Sequence, residues 1–122
     1  MKGIYIAGAI SDADVTKHYD NKRRMIQLAK RVSLAGYSPF VPCLDEEIVR
    51  HMTDDEMRCI NDKTFYYERS MVWLEKSDAV VLVAGWEDSN GTHKEIARAN
   101  KLGIPVYSSL EKLMLGEKTG RF

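Results

Sequence analysis

The sequence predicts an α/β fold, a parallel sheet of about four or five strands with helices on both faces. Three observations carry that expectation. Short apolar runs alternate along the chain with longer segments of helical periodicity. Residues Ala79 to Ala84 (AVVLVA) form an uninterrupted apolar run rich in β-branched residues, as a central parallel strand buried on both faces requires. Gly36 and Gly103 stand where two of the helical segments should stop. The length of 122 residues suits one compact domain spanning 1–122.

Gly3 to Ala9 reads as a first short strand closing around Gly8, and Ser11-Asp12-Ala13-Asp14 then offers helix N-cap chemistry. From Val15 to Leu34, Met25, Ile26, Leu28, Ala29, Val32 and Leu34 recur at helical spacing among Lys and Arg. Tyr37 to Val41 reads as a second strand, which Pro39 and Pro42 make short and push towards an edge. Cys43 to Thr64 is charged and weakly periodic, with a short helix expected over Thr53–Ile60, capped by Thr53 and Asp54. A stronger helix is expected over Lys63–Lys76, with Tyr66, Tyr67, Met71, Val72 and Leu74 as its apolar face. After the Ala79–Ala84 strand come a loop, Gly85 to Gly91, and a helix from about Thr92 to Leu102. Ile104–Tyr107 gives a last strand and Leu110–Leu115 a last short helix. Alternation of this kind calls for a flavodoxin- or Rossmann-like arrangement.

Composition excludes several function classes. Eighteen basic and eighteen acidic residues cancel, so the chain lacks the positive field that drives binding to a nucleic-acid polymer. The apolar stretch at the start, about eight residues, is far too short to span a membrane, and a cytoplasmic protein without a membrane partner is expected. Cys43 and Cys59, the only cysteines, fit no metal motif and are expected to be free thiols. His18, His51 and His93 are scattered, without zinc-site spacing.

In open α/β sheets, ligands bind beyond the carboxyl ends of the strands. Two loops fall there, Gly8-Ala9-Ile10-Ser11 and Gly85 to Gly91. Their backbone amides, backed by the helices that follow, suit a phosphate or carboxylate, although ordinary tight turns have the same composition. Neither loop matches G-x-G-x-x-G or a Walker A sequence, which disfavours dinucleotide and P-loop chemistry. Glu95 lies about one turn inside the helix after the second loop, where the positive helix end should keep it ionised. A fixed carboxylate is what attack at a sugar C1′ requires, and it is equally what complements a helix dipole. Tyr5 is placed either to donate to Glu95 or simply to pack the core. Trp86 could stack on a base or cover the sheet edge, and Asn21 could reach the pocket or face water. The run Lys22-Arg23-Arg24 reads as a solvated helix face.

The segment from Glu68 to Tyr107, ERSMVWLEKSDAVVLVAGWEDSNGTHKEIARANKLGIPVY, resembles the nucleoside 2-deoxyribosyltransferase superfamily, as do IYIAGAIS and GYSPFVPCL. That superfamily includes nucleoside 5′-monophosphate N-glycosidases and small phage and bacterial relatives. The pattern S-x-G-x-x-x-E-x-x-x-A is met by Ser89, Gly91, Glu95 and Ala99, alongside Tyr5 and Gly8. The resemblance implies that Glu95 is the nucleophile at C1′ and that Tyr5 orients it. It also implies that Ser89 binds a 5′-phosphate with amides of the first glycine loop. It implies a small nucleoside or nucleotide as substrate, no metal or redox cofactor, and a homo-oligomer. The chain departs from the pattern at Ser70, where many relatives carry an acid that protonates the leaving base, so either another group such as Glu68 or Asp45 takes that role, or the base departs unassisted, or the protein binds without turnover. Ala9 and Ser11 stand where the hydrolases have serine and arginine. Phosphate recognition would therefore lean on Ser11, Ser89 and amides, with Asn90 or Arg23 in support. A binding module without turnover is the alternative that Ser70 raises.

Overall fold

The computed structural model describes the backbone of residues 1–60 and 63–122, and the side chains of these except 63–65; part of the weakly periodic segment expected over Cys43–Thr64 therefore lies outside the described residues. The elements run β1 (Gly3–Ala7), α1 (Val15–Leu34), β2 (Ser38–Phe40), α2 (Asp45–Val49), α3 (Asp54–Ile60), α4 (Lys63–Glu75), β3 (Ala79–Leu82), α5 (Asn90–Leu102), β4 (Val106–Tyr107) and α6 (Leu110–Lys118). The four strands form one sheet in the order β2-β1-β3-β4, and every pairing is parallel. Ile4 to Ala7 run beside Ala79 to Leu82, so the two most apolar segments of the sequence occupy the sheet centre.

Successive residues of a strand point to opposite faces, and two separate cores result. Ile4, Ile6, Ala79, Val81 and Val83 meet Met25, Ala29 and Val32 of α1 and Leu110 and Leu113 of α6. Tyr5, Ala7, Val80 and Leu82 meet Met71 and Leu74 of α4 and Ala99 of α5. Each fully buried aliphatic side chain contributes roughly 1.5–3 kcal/mol, which explains why an uninterrupted apolar run is stable only here. The edge position of β2 matches Pro39, whose missing N–H would leave a gap inside a sheet.

Helix termini follow the local chemistry. Asp14 caps α1, accepting from the Thr16 and Lys17 amides at 2.8 and 3.3 Å. Thr53 and Glu56 cap α3 reciprocally, the Thr53 amide donating to Glu56 at 2.9 Å and the Glu56 amide to Thr53 Oγ1 at 3.2 Å. Ile26 and Leu34 of α1 face outward, so the buried stripe is narrower than the apolar spacing suggested.

The basic run of α1 is not one solvated face. Consecutive residues of a helix point about 100° apart, so three in a row are dealt to different surroundings. Lys22 is buried, its ammonium 2.8 Å from Glu46 of α2, while Arg23 stays outside against Asp20. Burial alone would raise the Glu46 carboxyl, but the Lys22 ammonium and His18 outweigh it and hold Glu46 below its ordinary value. Cys43 is buried, Cys59 is exposed, and no disulfide joins them. Among the described residues, no helix is long and apolar enough to cross a membrane.

Candidate functional site

The strand order creates the site. From β1 the chain passes through α1 on one face towards β2, and from β3 through α5 on the other face towards β4. The two connections part at the carboxyl ends of β1 and β3 and leave a crevice between them. A cavity of about 680 Å³ occupies it, a size that suits a nucleoside or similar small molecule.

Glycine shapes two of the walls. The loop after β1 passes so close to β3 that a Cβ on Gly8 would lie 2.6 Å from Val83 Cβ, so only glycine permits the approach. Gly85 takes φ 88°, a left-handed turn that leads into a single 3₁₀ turn, Trp86–Asp88. That turn delivers Ser89 as the N-cap of α5, where its hydroxyl oxygen accepts from the Thr92 amide at 3.2 Å and the Thr92 hydroxyl at 2.9 Å. Asn90 and Gly91 of the first turn of α5 line the cavity, and no acidic residue occupies that turn. Helix-end amides without intrahelical partners attract an anionic group.

Glu95 lies at the base. Its side chain reaches the cavity and accepts the phenolic hydrogen of Tyr5, a fully buried residue on β1. Burial raises the Glu95 carboxyl from 4.5 to about 7, and the bond from Tyr5 only partly offsets this. The sequence suggested that the helix end would keep this carboxyl ionised; burial at the cavity floor acts in the opposite direction. Burial, with the Glu95 charge next, drives the Tyr5 phenol far above its ordinary range, so Tyr5 remains a donor. Ser70 of α4 lies close enough to the same phenol to pull its titration slightly back down. Behind Tyr5 the rings continue outward, Tyr5 stacked on Phe40 at 5.5 Å and Phe40 on the half-exposed Trp73 at 5.4 Å.

Of the residues singled out in the sequence, Gly8, Ala9, Ser11, Asn21, Ser89, Asn90, Gly91 and Glu95 all line this cavity. Asn21 also donates to the Ile10 carbonyl at 3.3 Å, which pins the first loop to α1. Trp86 is not on the cavity wall; it packs on the α4–α5 side of the sheet, edge-on to His93 at 5.3 Å. Arg23 is absent from the wall and Arg24 takes its place, its guanidinium 3.5 Å from the Ala84 carbonyl. Lys17, Asn21 and Arg24 share a helix face at spacings of four and three, a signal present in the sequence and overlooked. Tyr66 and Ser70 are likewise four apart on the α4 wall. Neither acid considered as a replacement at Ser70 lines the cavity. Asp45 is held by Arg69 at 3.2 and 3.4 Å, and Glu68 faces a separate shallow depression with Glu75 and Arg98. Among the described residues, no group of three or more His, Cys, Asp or Glu is placed to hold a metal ion.

Comparison with known proteins places this geometry in a family. A family model described as a domain of unknown function, DUF4406, matches residues 2–108. The chain belongs to the DUF4406 family. By sequence, no curated protein matches this DUF4406 chain. Among solved structures it is similar to a 2-deoxyribosyltransferase from the psychrotolerant bacterium Bacillus psychrosaccharolyticus, with TM-score 0.57, 17% identity, and 88% of this chain and 74% of that chain covered. That likeness shows a shared fold, and the expected α/β architecture is the one found.

Proposed function

We propose that this DUF4406 protein cleaves, or transfers at, the N-glycosidic bond of a (deoxy)nucleoside or its 5′-monophosphate, with Glu95 as the nucleophile. The observation that carries the proposal is the Tyr5–Glu95 pair at the floor of a nucleoside-sized cavity, between two strand-end loops. Further support comes from the shared fold with a protein described as a 2-deoxyribosyltransferase that serves in nucleoside synthesis.

In this mechanism Tyr5 fixes one carboxylate oxygen and leaves the other to attack C1′ as the base departs. The oxocarbenium-like transition state is positive, so a carboxylate beside it lowers the barrier as well as forming the bond. The Ser11 and Ser89 hydroxyls, the amides of Asn90 and Gly91, and the side chains of Lys17 and Arg24 would receive the 5′ end, with or without phosphate. Water or a second base then resolves the glycosyl ester. No metal or redox step is needed. The protein would work in the cytoplasm; assembly as a homo-oligomer is favoured by the exposed Val72 and Trp73 of α4, and light scattering during gel filtration measures its state.

The test is incubation with a panel of nucleosides and 5′-monophosphates, ribo and deoxy, with free base followed by chromatography. Base release that stops in Glu95→Gln supports the proposal, and release that survives the substitution refutes it. A second function, nucleotide binding without turnover, is favoured by one observation: Ser70 rather than an acid stands beside Tyr5. It would be recognised by a nucleotide that raises the melting temperature while no base appears.

A further inference from the structure

We infer that the substrates are N-glycosides with a cationic leaving group, such as an N7-alkylated purine or a pyridinium nucleotide, because among the described residues the cavity sets a nucleophile beside an α4 wall that offers no carboxyl to protonate the departing base. This rests on the glycosidic function proposed above. Among the described residues, the α4 wall, which stands next to the Tyr5–Glu95 pair, is lined by Tyr66, Tyr67, Ser70 and Met71. Phenols and alcohols are far weaker acids than carboxyls. Asp45 is occupied by Arg69, and Glu68 opens elsewhere. The other carboxyls on the cavity, Asp12 and Asp88, belong to the exposed loops, and Asp12 holds the Asp14 amide at 2.8 Å.

A neutral purine or pyrimidine leaves as an anion unless it is protonated, and general acid catalysis of that step is worth roughly 10²–10⁴ in rate. A cationic base needs no proton. As a Glu95 oxygen forms its bond to C1′, the C1′–N bond breaks and its electron pair neutralises the ring nitrogen. The products are a neutral base and a glycosyl ester of Glu95. Water then attacks the ester, giving the free sugar, the Glu95 carboxylate and one proton. The cavity also fits the ground state of such a substrate. Aromatic rings and a carboxylate both attract a flat cation, and Tyr66, Tyr67 and Glu95 line the cavity, while Lys17 and Arg24 suit an anionic 5′ end.

The experiment compares 7-methylguanosine 5′-monophosphate with guanosine 5′-monophosphate, in the ribo and 2′-deoxy series, and subtracts spontaneous base loss measured with Glu95→Gln. The methylated substrate is expected to be cleaved roughly a thousandfold faster than its neutral parent, the gap that missing acid catalysis leaves. Ser70→Asp, which puts a carboxyl on the α4 wall, is expected to speed the neutral substrate and narrow that gap at least roughly tenfold. Glu95-dependent cleavage of the neutral parent within about tenfold of the methylated one would overturn the inference and leave the glycosidic function standing. Glu95-dependent cleavage of neither would overturn both.

Discussion

Replacing Glu95 with Gln is expected to stabilise the unliganded protein at pH 8 while removing its chemistry. The carboxyl titrates at about 7 in the folded state against an ordinary 4.5. Below 4.5 it is neutral in both states, and the contribution of its raised value is fully present. As pH rises through about 7 the folded state must ionise a desolvated group, and that contribution is lost. The full shift corresponds to roughly 3 kcal/mol. Because the side chain keeps some contact with water in the cavity, about 1–2 kcal/mol is the expected gain. Gln is nearly isosteric, still accepts from Tyr5 through its amide oxygen, and has nothing to ionise. For a domain of this length the gain raises Tm by about 4–8 °C at pH 8 and by little at pH 5. Thermal melts of both proteins at the two pH values measure it. A variant no more stable than the parent at pH 8, or one whose advantage is as large at pH 5, would refute the claim that burial strains this carboxylate.

Other perturbations test the surrounding parts. Tyr5→Phe removes the donor that partly offsets burial, so the Glu95 titration, followed by NMR of a side-chain-labelled sample, is expected to move above about 7. Gly8→Ala drives a methyl to 2.6 Å from Val83 Cβ and is expected to cost about 1–3 kcal/mol in a denaturant melt, with loss of nucleotide binding as the loop shifts. Lys22→Met leaves Glu46 without the ammonium at 2.8 Å and is expected to cost about 1–2 kcal/mol at neutral pH. That loss shrinks as pH falls below the ordinary carboxylate value of 4.5 and through the lower folded value, because protonated Glu46 needs no partner; urea titrations across pH 3–7 follow it.

Much of the architecture was legible because it depends on short-range patterns. The AVVLVA run could be stable only between two helical layers, and Pro39 could sit only on a weakly paired strand. The start of α5 lies earlier than periodicity placed it: Asn90 rather than Thr92 is its first residue, Ser89 is its cap, and the first turn is polar. The 3₁₀ turn Pro42–Leu44 and α2 were illegible for a related reason: both are short, and α2 buries no side chain of its own while Glu46 meets Lys22 across the fold. At the site, the glycine loops and Glu95 could be read from position relative to strand ends. The α1 and α4 walls could not, because which face of a helix looks into a crevice depends on its tertiary packing. The same limit misplaced the charge of Glu95. A helix dipole is a local property, whereas desolvation depends on every wall that meets above the carboxyl.

The three rings that lead outward from Glu95 have an optical consequence. Trp73 is half-exposed yet stacked on Phe40, which is stacked on the phenol that holds the carboxylate. A tilt of the Tyr5 ring on ligand entry would be passed along two stacked faces to an indole at the surface. Of the two indoles, Trp73 is the one joined by stacked rings to the phenol at the cavity floor, so its emission is the one expected to change on ligand entry.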